Sequence, residues 1–523
     1  MPAPPEPSPP AFPSLLDDSP DIALLRLGPD CSLTCGALEQ AAHQSEPRVV
    51  LTPQADEAIQ RAYSAFQHLR AEGAPIYGVT TGFGPFVQYG SSDSGAEVHG
   101  AGLIAHLGTG YGTLAAPSIV RATMILRAQS VAQGHSGIAR PALQAYLDVL
   151  RTGLVPAVPS IGSVGASGDL TPLAHIARVV TGEGRVYTPD GPTPARAVLD
   201  RHGLQPYPLN DRDALALVNG TNFLTAYAAL ALQRTRRLIA RAEQLTGWLY
   251  RLLGCPTQAL DDRLHAARGH AGQRASAAAI RTERARGPIA EANRPLQEIY
   301  SIRCAPQVLG SCRDQVSYAA RLIETEMNGV TDNPLTFPDS AGDGATPCVL
   351  HGGNFQGQQV AFAADALNAA ITQTGLLVER QIDALLSPSI NDNAPLLLAW
   401  SPGADSGLAG AQLTATAAAA ELRAQAQMHA TATIPTNGGN QDIVSMGTMA
   451  ARRAFDQTRH CAIILAVASL ALHQLTFLRH EGRAPGTAVD KPDWVPPLEP
   501  LRGDRALHSE ITSLADAWLA PNS

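Results

Sequence analysis

Ala166-Ser167-Gly168, inside Ile161–Ala174 (IGSVGASGDLTPLA), is a place in this chain where the backbone could react with itself. Gly has no Cβ, so the Gly168 amide nitrogen can approach the Ala166 carbonyl carbon without a steric barrier. Attack closes a five-membered ring. Loss of water, including the Ser167 hydroxyl, leaves an exocyclic methylene conjugated with that ring, an electrophile made from the chain alone. Short Gly/Ser/Ala-rich turns before helices also serve as loops, caps and phosphate cradles. Here Asp169 follows directly and Leu170–Val180 has helical spacing, which puts Ser167 beside the positive end of a helix dipole.

Other stretches carry reactive or ligand-holding residue types. Tyr77 opens YGVTTGFG, a loop with Gly78, Gly82 and Gly84. A phenol normally titrates near ~10 and needs that value lowered to act as a base, whereas a tyrosine at a turn is equally a packing residue. Arg303 in YSIRCAPQ can clamp a carboxylate with its planar fork, or sit on the surface at a helix start. A cation there opposes the dipole of the helix after Pro306, which argues for a role beyond stability. Asn219 interrupts an apolar run in ALVNGTN, either as a satisfied core amide or a functional one. Asn440-Gln441 in GGNQDIVSMGT either cap the long helix that follows or belong to a site.

Together these motifs resemble the signatures of the aromatic amino acid ammonia-lyases and aminomutases. The resemblance runs from about Leu51 to the last long helix, with VGASGDLTPLAH at its centre. It implies the prosthetic group 4-methylidene-imidazole-5-one (MIO), formed from Ala166-Ser167-Gly168 with no external cofactor and no metal. It makes Tyr77 the base that takes a β-proton, under a loop that closes over the site. It gives Arg303 the substrate carboxylate, Tyr300 the amine side and Gln307 support of the ring. Asn219 would contact the MIO carbonyl and substrate, Asn333 (TDNP) the carboxylate, and Phe355 (HGGNFQG) would lie near MIO, with Asn440 and Gln441 completing the set.

His106-Leu107 matches the pair that selects the substrate ring in this family, and reads as in the tyrosine lyases. An imidazole can hydrogen-bond a phenol hydroxyl. The neutral Gln441 suits a phenol better than a cationic imidazole would be suited. The expected reaction is elimination of ammonia from L-tyrosine to trans-4-coumarate. Tyrosine 2,3-aminomutase, phenylalanine or histidine ammonia-lyase, and an inactive helical scaffold are the alternatives. The family's L-Q-x-N-L becomes His99-Gly100-Ala101-Gly102-Leu103 here, and the two glycines are expected to loosen the segment that carries His106.

The elements that must hold these residues are mostly helical. Pro53 to Ala71 starts with a Thr52 cap, and residues 115–152 read as helices interrupted at Gly134–Gly137 and Pro141. Asp211–Leu253, Ala305–Met327, Gln356–Leu386, Gly410–Met428 and Gln441–Arg479 keep apolar residues three and four apart. Residues 22–50 suggest a hairpin or small strands, and 181–208 a small β-ribbon. The expected fold is mainly α: a disordered Pro-rich tail (1–20), a smaller mixed N-terminal domain bearing MIO (21–210) and a long-helix bundle (211–523). The resemblance makes it L-aspartase/fumarase-like and a homotetramer with shared active sites. Only 16% of residues are charged, low for a free monomer surface, which agrees with oligomerisation.

The net charge of −8 without a basic patch argues against nucleic acid. The apolar Ala462–Leu472 reads as a buried helix segment rather than a membrane span. Seven scattered cysteines do not form a disulfide framework, and Cys31 and Cys35 lack a second pair for metal. With no charged-then-apolar N-terminal pattern, a cytoplasmic location is expected.

Overall fold

A computed structural model describes residues 24–91, 95–291, 293–338 and 346–521. The Pro-rich tail lies outside the described residues.

The helix Pro53–Ala71 begins as its chemistry demands. The Thr52 side chain accepts from the Ala55 amide at 3.2 Å, and Pro53 occupies the first turn. Such a cap is worth ~1 kcal/mol. The segment before it is not a hairpin: Leu25–Leu27 pairs in parallel with Val49–Leu51, and the helix Cys35–His43 makes the crossover. The β-ribbon is present as Arg185–Val186 against Thr193–Pro194, but the helix Ala195–Arg201 follows it directly.

Two further pairings position the reactive segments. Tyr111–Leu114 runs antiparallel to Pro159–Ile161, joining the chain after His106 to the chain before Ser167. Leu335–Phe337 runs antiparallel to Cys348–Leu350, joining the flanks of Asn333 and Phe355.

The rest is a bundle. Asn222–Leu253, Ala305–Met327, Gln358–Leu386 and Gly447–His480 pack on one another. Gly447–His480 is long and apolar enough to cross a membrane, but 83% of its apolar window is buried inside the fold, as a core helix. Ala409–Ala424 lies against it. One contiguous apolar core runs from Leu25 to Leu519.

Three boundaries differ from the periodicity. The helix expected over Gly410–Met428 is Ala409–Ala424 and ends four residues early. The run Asp211–Leu253 breaks at Asn219–Thr221 into Asp211–Val218 and Asn222–Leu253. The last long helix starts at Gly447, not Gln441. Its apolar pattern hides an irregular 436–446 segment that packs against the Ser167 loop.

Candidate active site

The Ser167 loop is gripped on every side. Gly168 has φ +66°, and a Cβ there would collide with the Gly220 carbonyl. Only glycine takes that conformation and approach without strain. Asp169 N donates to Gly220 O at 2.7 Å. The Asp169 carboxylate accepts from Leu224 N at 2.8 Å, Ser163 Oγ at 2.8 Å and Thr448 Oγ1 at 2.6 Å. It therefore ties the loop to the first turns of two bundle helices. Burial pushes this carboxyl up to about 6 against the downward pull of those donors. The break at Asn219–Thr221 frees Gly220 O for this contact, which an unbroken helix would have used internally. Leu170–Val180 follows at once, so Ser167 does stand near a helix N-terminus.

Around Ser167 lies a cavity of about 880 Å³. Tyr77, His106, Leu107, Ser167, Asn219, Asn333, Phe355, Asn440 and Gln441 all line it, from segments far apart in the chain. Ala166 is buried beneath, beside Val444 and Met446. Asn219 Nδ2 donates to Ser167 O at 3.2 Å, and Gln441 Nε2 donates to Ser167 Oγ at 2.7 Å. Gln441 precedes the last long helix by several residues and bonds Ser167, so it is not a cap of that helix.

Tyr77 is half-buried, and its hydroxyl accepts from Gly84 N at 2.7 Å. Burial raises its phenol above the ordinary value, and the Gly84 amide offsets only part of that. The lowering expected for a base is thus not supplied by the residues of this chain around it.

The helix that carries His106, Ala96–His106, runs unbroken through both glycines. Gly100 does not loosen it: a Cβ there would collide with the Leu209 and Asn210 carbonyls, so glycine permits close packing. Gly102 faces open space. His106 Nδ1 lies 3.0 Å from Gly102 O and must donate to it. In the neutral imidazole that leaves Nε2 as the lone-pair acceptor.

Three expected residues stand elsewhere. Arg303 and Gln307 line a separate cavity of about 200 Å³ with Pro256 and Glu298. Tyr300 is 71% exposed, under the Arg303 guanidinium at 4.8 Å. The reason is geometric. Asn333 follows the C-terminal end of Ala305–Met327, whereas Arg303 and Gln307 sit at its start. Twenty-three residues of helix span roughly 34 Å. Arg303 Nε and Gln307 Oε1 are buried without a hydrogen-bond partner.

Sequence reading missed the support behind the amides. Arg127, fully buried, donates to Asn219 O at 2.8 Å, Asn222 Oδ1 at 3.1 Å and Thr331 O at 3.2 Å. It also faces Asp332, which pairs with the buried Arg212. Asn333 N donates to Asp332 Oδ1 at 2.7 Å. One charged cluster thus fixes both Asn219 and Asn333. An Arg in the apolar run Pro117–Ala132 was its only sequence signal.

The tripeptide, the glycine at 168 and the donors on Ser167 fit the residues that self-condensation requires. The family model for aromatic amino acid lyases matches residues 33–491, and the chain belongs to that family of carbon–nitrogen lyases. It is 39% identical over 492 residues to a tyrosine ammonia-lyase of Cereibacter sphaeroides, covering 90% of this chain and 92% of that one. It is 36% identical over 493 residues to a histidine ammonia-lyase of Symbiobacterium thermophilum, covering 92% and 96%. Among solved structures, the tyrosine aminomutase of Streptomyces globisporus superposes with a TM-score of 0.85 at 31% identity, covering 95% and 97%.

Proposed function

We propose that this chain eliminates ammonia from L-tyrosine to give trans-4-coumarate. The observation that carries the choice of ring is the contact of His106 Nδ1 with Gly102 O at 3.0 Å. In the neutral imidazole that Nδ1–H is used by Gly102 O, so Nε2 offers a lone pair to a cavity ligand. A phenol O–H can donate to it, a phenyl ring cannot, and the neutral Gln441 adds no charge to attract an imidazolium.

The prosthetic group is MIO, formed from Ala166-Ser167-Gly168, and it supplies the electrophile that makes the amine a leaving group. Asn219 and Gln441 hold the Ser167 position from two sides. Tyr77 takes the β-proton, and the helix dipole of Leu170–Val180 favours negative charge beside Ser167. Water is excluded by the loop from Tyr77 to Gln88, which covers one wall of the cavity.

The protein works as a homotetramer with shared sites. A second copy brings the start of its Ala305–Met327 helix, with Tyr300, Arg303 and Gln307, to the cavity opposite Ser167. The roughly 34 Å between the ends of that helix supports this, because one chain cannot bring both to one site. Large exposed apolar side chains at Phe86, Tyr89, Leu296, Leu413 and Ile443 support it too.

The likeness to a tyrosine aminomutase favours a second reading, in which ammonia returns to the β-carbon. Ultraviolet monitoring with tyrosine, phenylalanine and histidine in parallel tests the first. Tyrosine should give the fastest rise of an arylacrylate band; faster turnover of histidine or phenylalanine rejects it. Chiral analysis for β-tyrosine separates lyase from mutase.

A further inference from the structure

His99 has no part in the chemistry above, yet its ring lines the cavity. It stacks on Phe83 with ring centroids 4.4 Å apart and planes 10° from parallel. The other side of the contact is Tyr77, whose ring meets Phe83 edge-on at 6.3 Å. The three rings form one stack from the helix Ala96–His106 to the loop that opens with Tyr77.

The start of the loop has its own fastenings: Tyr77 N donates to His351 Nε2 at 3.1 Å, and Ile76 and Val79 are buried against Phe66 and Leu69. The amides of Gly78, Gly82 and Gly84 bond to Thr81, Tyr89 and Tyr77, all within the loop. These bonds fold it but do not dock it. Phe83 is its inward anchor: a Cβ on Gly78 would press on the Phe83 ring and on Leu215. His99 Nε2 is buried with no hydrogen-bond partner, Asp211 lies within electrostatic range of the ring, and the face of the ring carries the contact to Phe83. His106 lies two turns further along the same helix.

We propose that His99 is a positioning residue that docks the Tyr77 loop, through Phe83, onto the helix that reads the substrate ring. Proton transfer depends on placement within about an ångström, and a docked loop keeps Tyr77 at a fixed offset from His106. The catalytic consequence rests on Tyr77 being the base; the docking does not.

The test uses the purified full-length protein and the variants His99→Ala, His99→Phe and His99→Asn. Hydrogen exchange of peptides covering 76–91 should speed up in His99→Ala and His99→Asn and return toward the parent rate in His99→Phe, which keeps a flat ring. With tyrosine, kcat should fall ~10- to 100-fold in the first two while KM stays within ~3-fold, again with rescue by Phe. Should His99→Ala not fold, the Asn and Phe variants make the same comparison. Unchanged exchange in the ringless variants, unchanged kcat, or equal damage by Phe overturns the proposal. Tyr77→Phe is measured alongside: if it is fully active, the base assignment fails, and the exchange data still decide whether His99 docks the loop.

Discussion

Gln441 and Ser167, 274 positions apart, meet in one hydrogen bond, with Gln441 Nε2 donating to Ser167 Oγ at 2.7 Å. The orientation of the amide is set from behind, because its Oε1 accepts from Thr436 Oγ1 at 2.7 Å. A rigid donor is thereby aimed at the hydroxyl that ring formation must expel. The loop carrying Gln441 and the loop carrying Tyr77 also touch, where Gly84 packs closely on the Asn437 side chain. The two sides of the cavity are therefore coupled through Asn437.

Ser167→Ala removes the hydroxyl that becomes the methylene. The intact parent chain should weigh about 36 Da less than its sequence, two waters lost in a condensation that Gly168 makes possible. The variant should not show the full deficit, and its turnover should fall by roughly three orders of magnitude or more. Its melting temperature should stay close to the parent's, since Asp169 still ties the loop to Leu224 and Thr448. A parent chain at its full sequence mass contradicts the assignment of MIO.

Asp169 predicts a pH dependence of stability. Its carboxyl lies at about 6 in the folded chain because burial outweighs the donors around it. The folded state therefore holds this proton more tightly than the unfolded state. The resulting stabilisation is complete below the ordinary carboxylate value near ~4 and is lost as pH rises through about 6. The ceiling is ~3 kcal/mol by the shift alone. Asp169→Asn cannot ionise and should flatten the fall in denaturation midpoint between pH 4 and 7. Some slope should persist, since Asp213 is also pushed up to about 6 by burial. An equal slope in parent and variant would falsify this account.

His106→Phe removes the acceptor held by Gly102 O. Preference should move from tyrosine toward phenylalanine, with the ratio of kcat/KM values changing ~100-fold or more, because a buried phenol is left unpaired. Thermal stability should change little, as His106 is exposed in this chain. A ratio within a factor of two of the parent removes His106 from substrate selection.

Where local chemistry set an element, the sequence was enough to read it. Thr52-Pro53 marked its helix start, and apolar spacing marked Leu170–Val180 and Ala305–Met327 to the residue. Where distant contacts set it, the pattern misled. Asn219-Gly220 costs a helix only ~1–2 kcal/mol by propensity, so the apolar run read as continuous. The break comes from Asp169 N and Arg127 competing for the carbonyls of Gly220 and Asn219. Arg127 itself was illegible, because an Arg in an apolar helix, here with Arg121 on the same helix, reads as its solvent face. The site motifs were legible as residue types, while the separation of Arg303 from Ser167 followed only from the length of one straight helix.

That separation yields the last prediction. Ser167→Ala and Arg303→Gln should each be nearly inactive as homo-oligomers. If each site takes Ser167 from one copy and Arg303 from another, mixed oligomers contain sites with neither lesion. Random assembly from equal amounts gives roughly one such site in four, because the two residues are drawn independently from different protomers of a closed assembly. Co-expression should then recover about a quarter of parental kcat with a parental KM, whereas mixing the folded proteins without subunit exchange should recover none. A site built within one chain behaves differently: every site carries a lesion in every mixture, and co-expression restores nothing. Recovery therefore discriminates between Arg303 acting across a subunit boundary and Arg303 serving only its own small cavity beside Glu298.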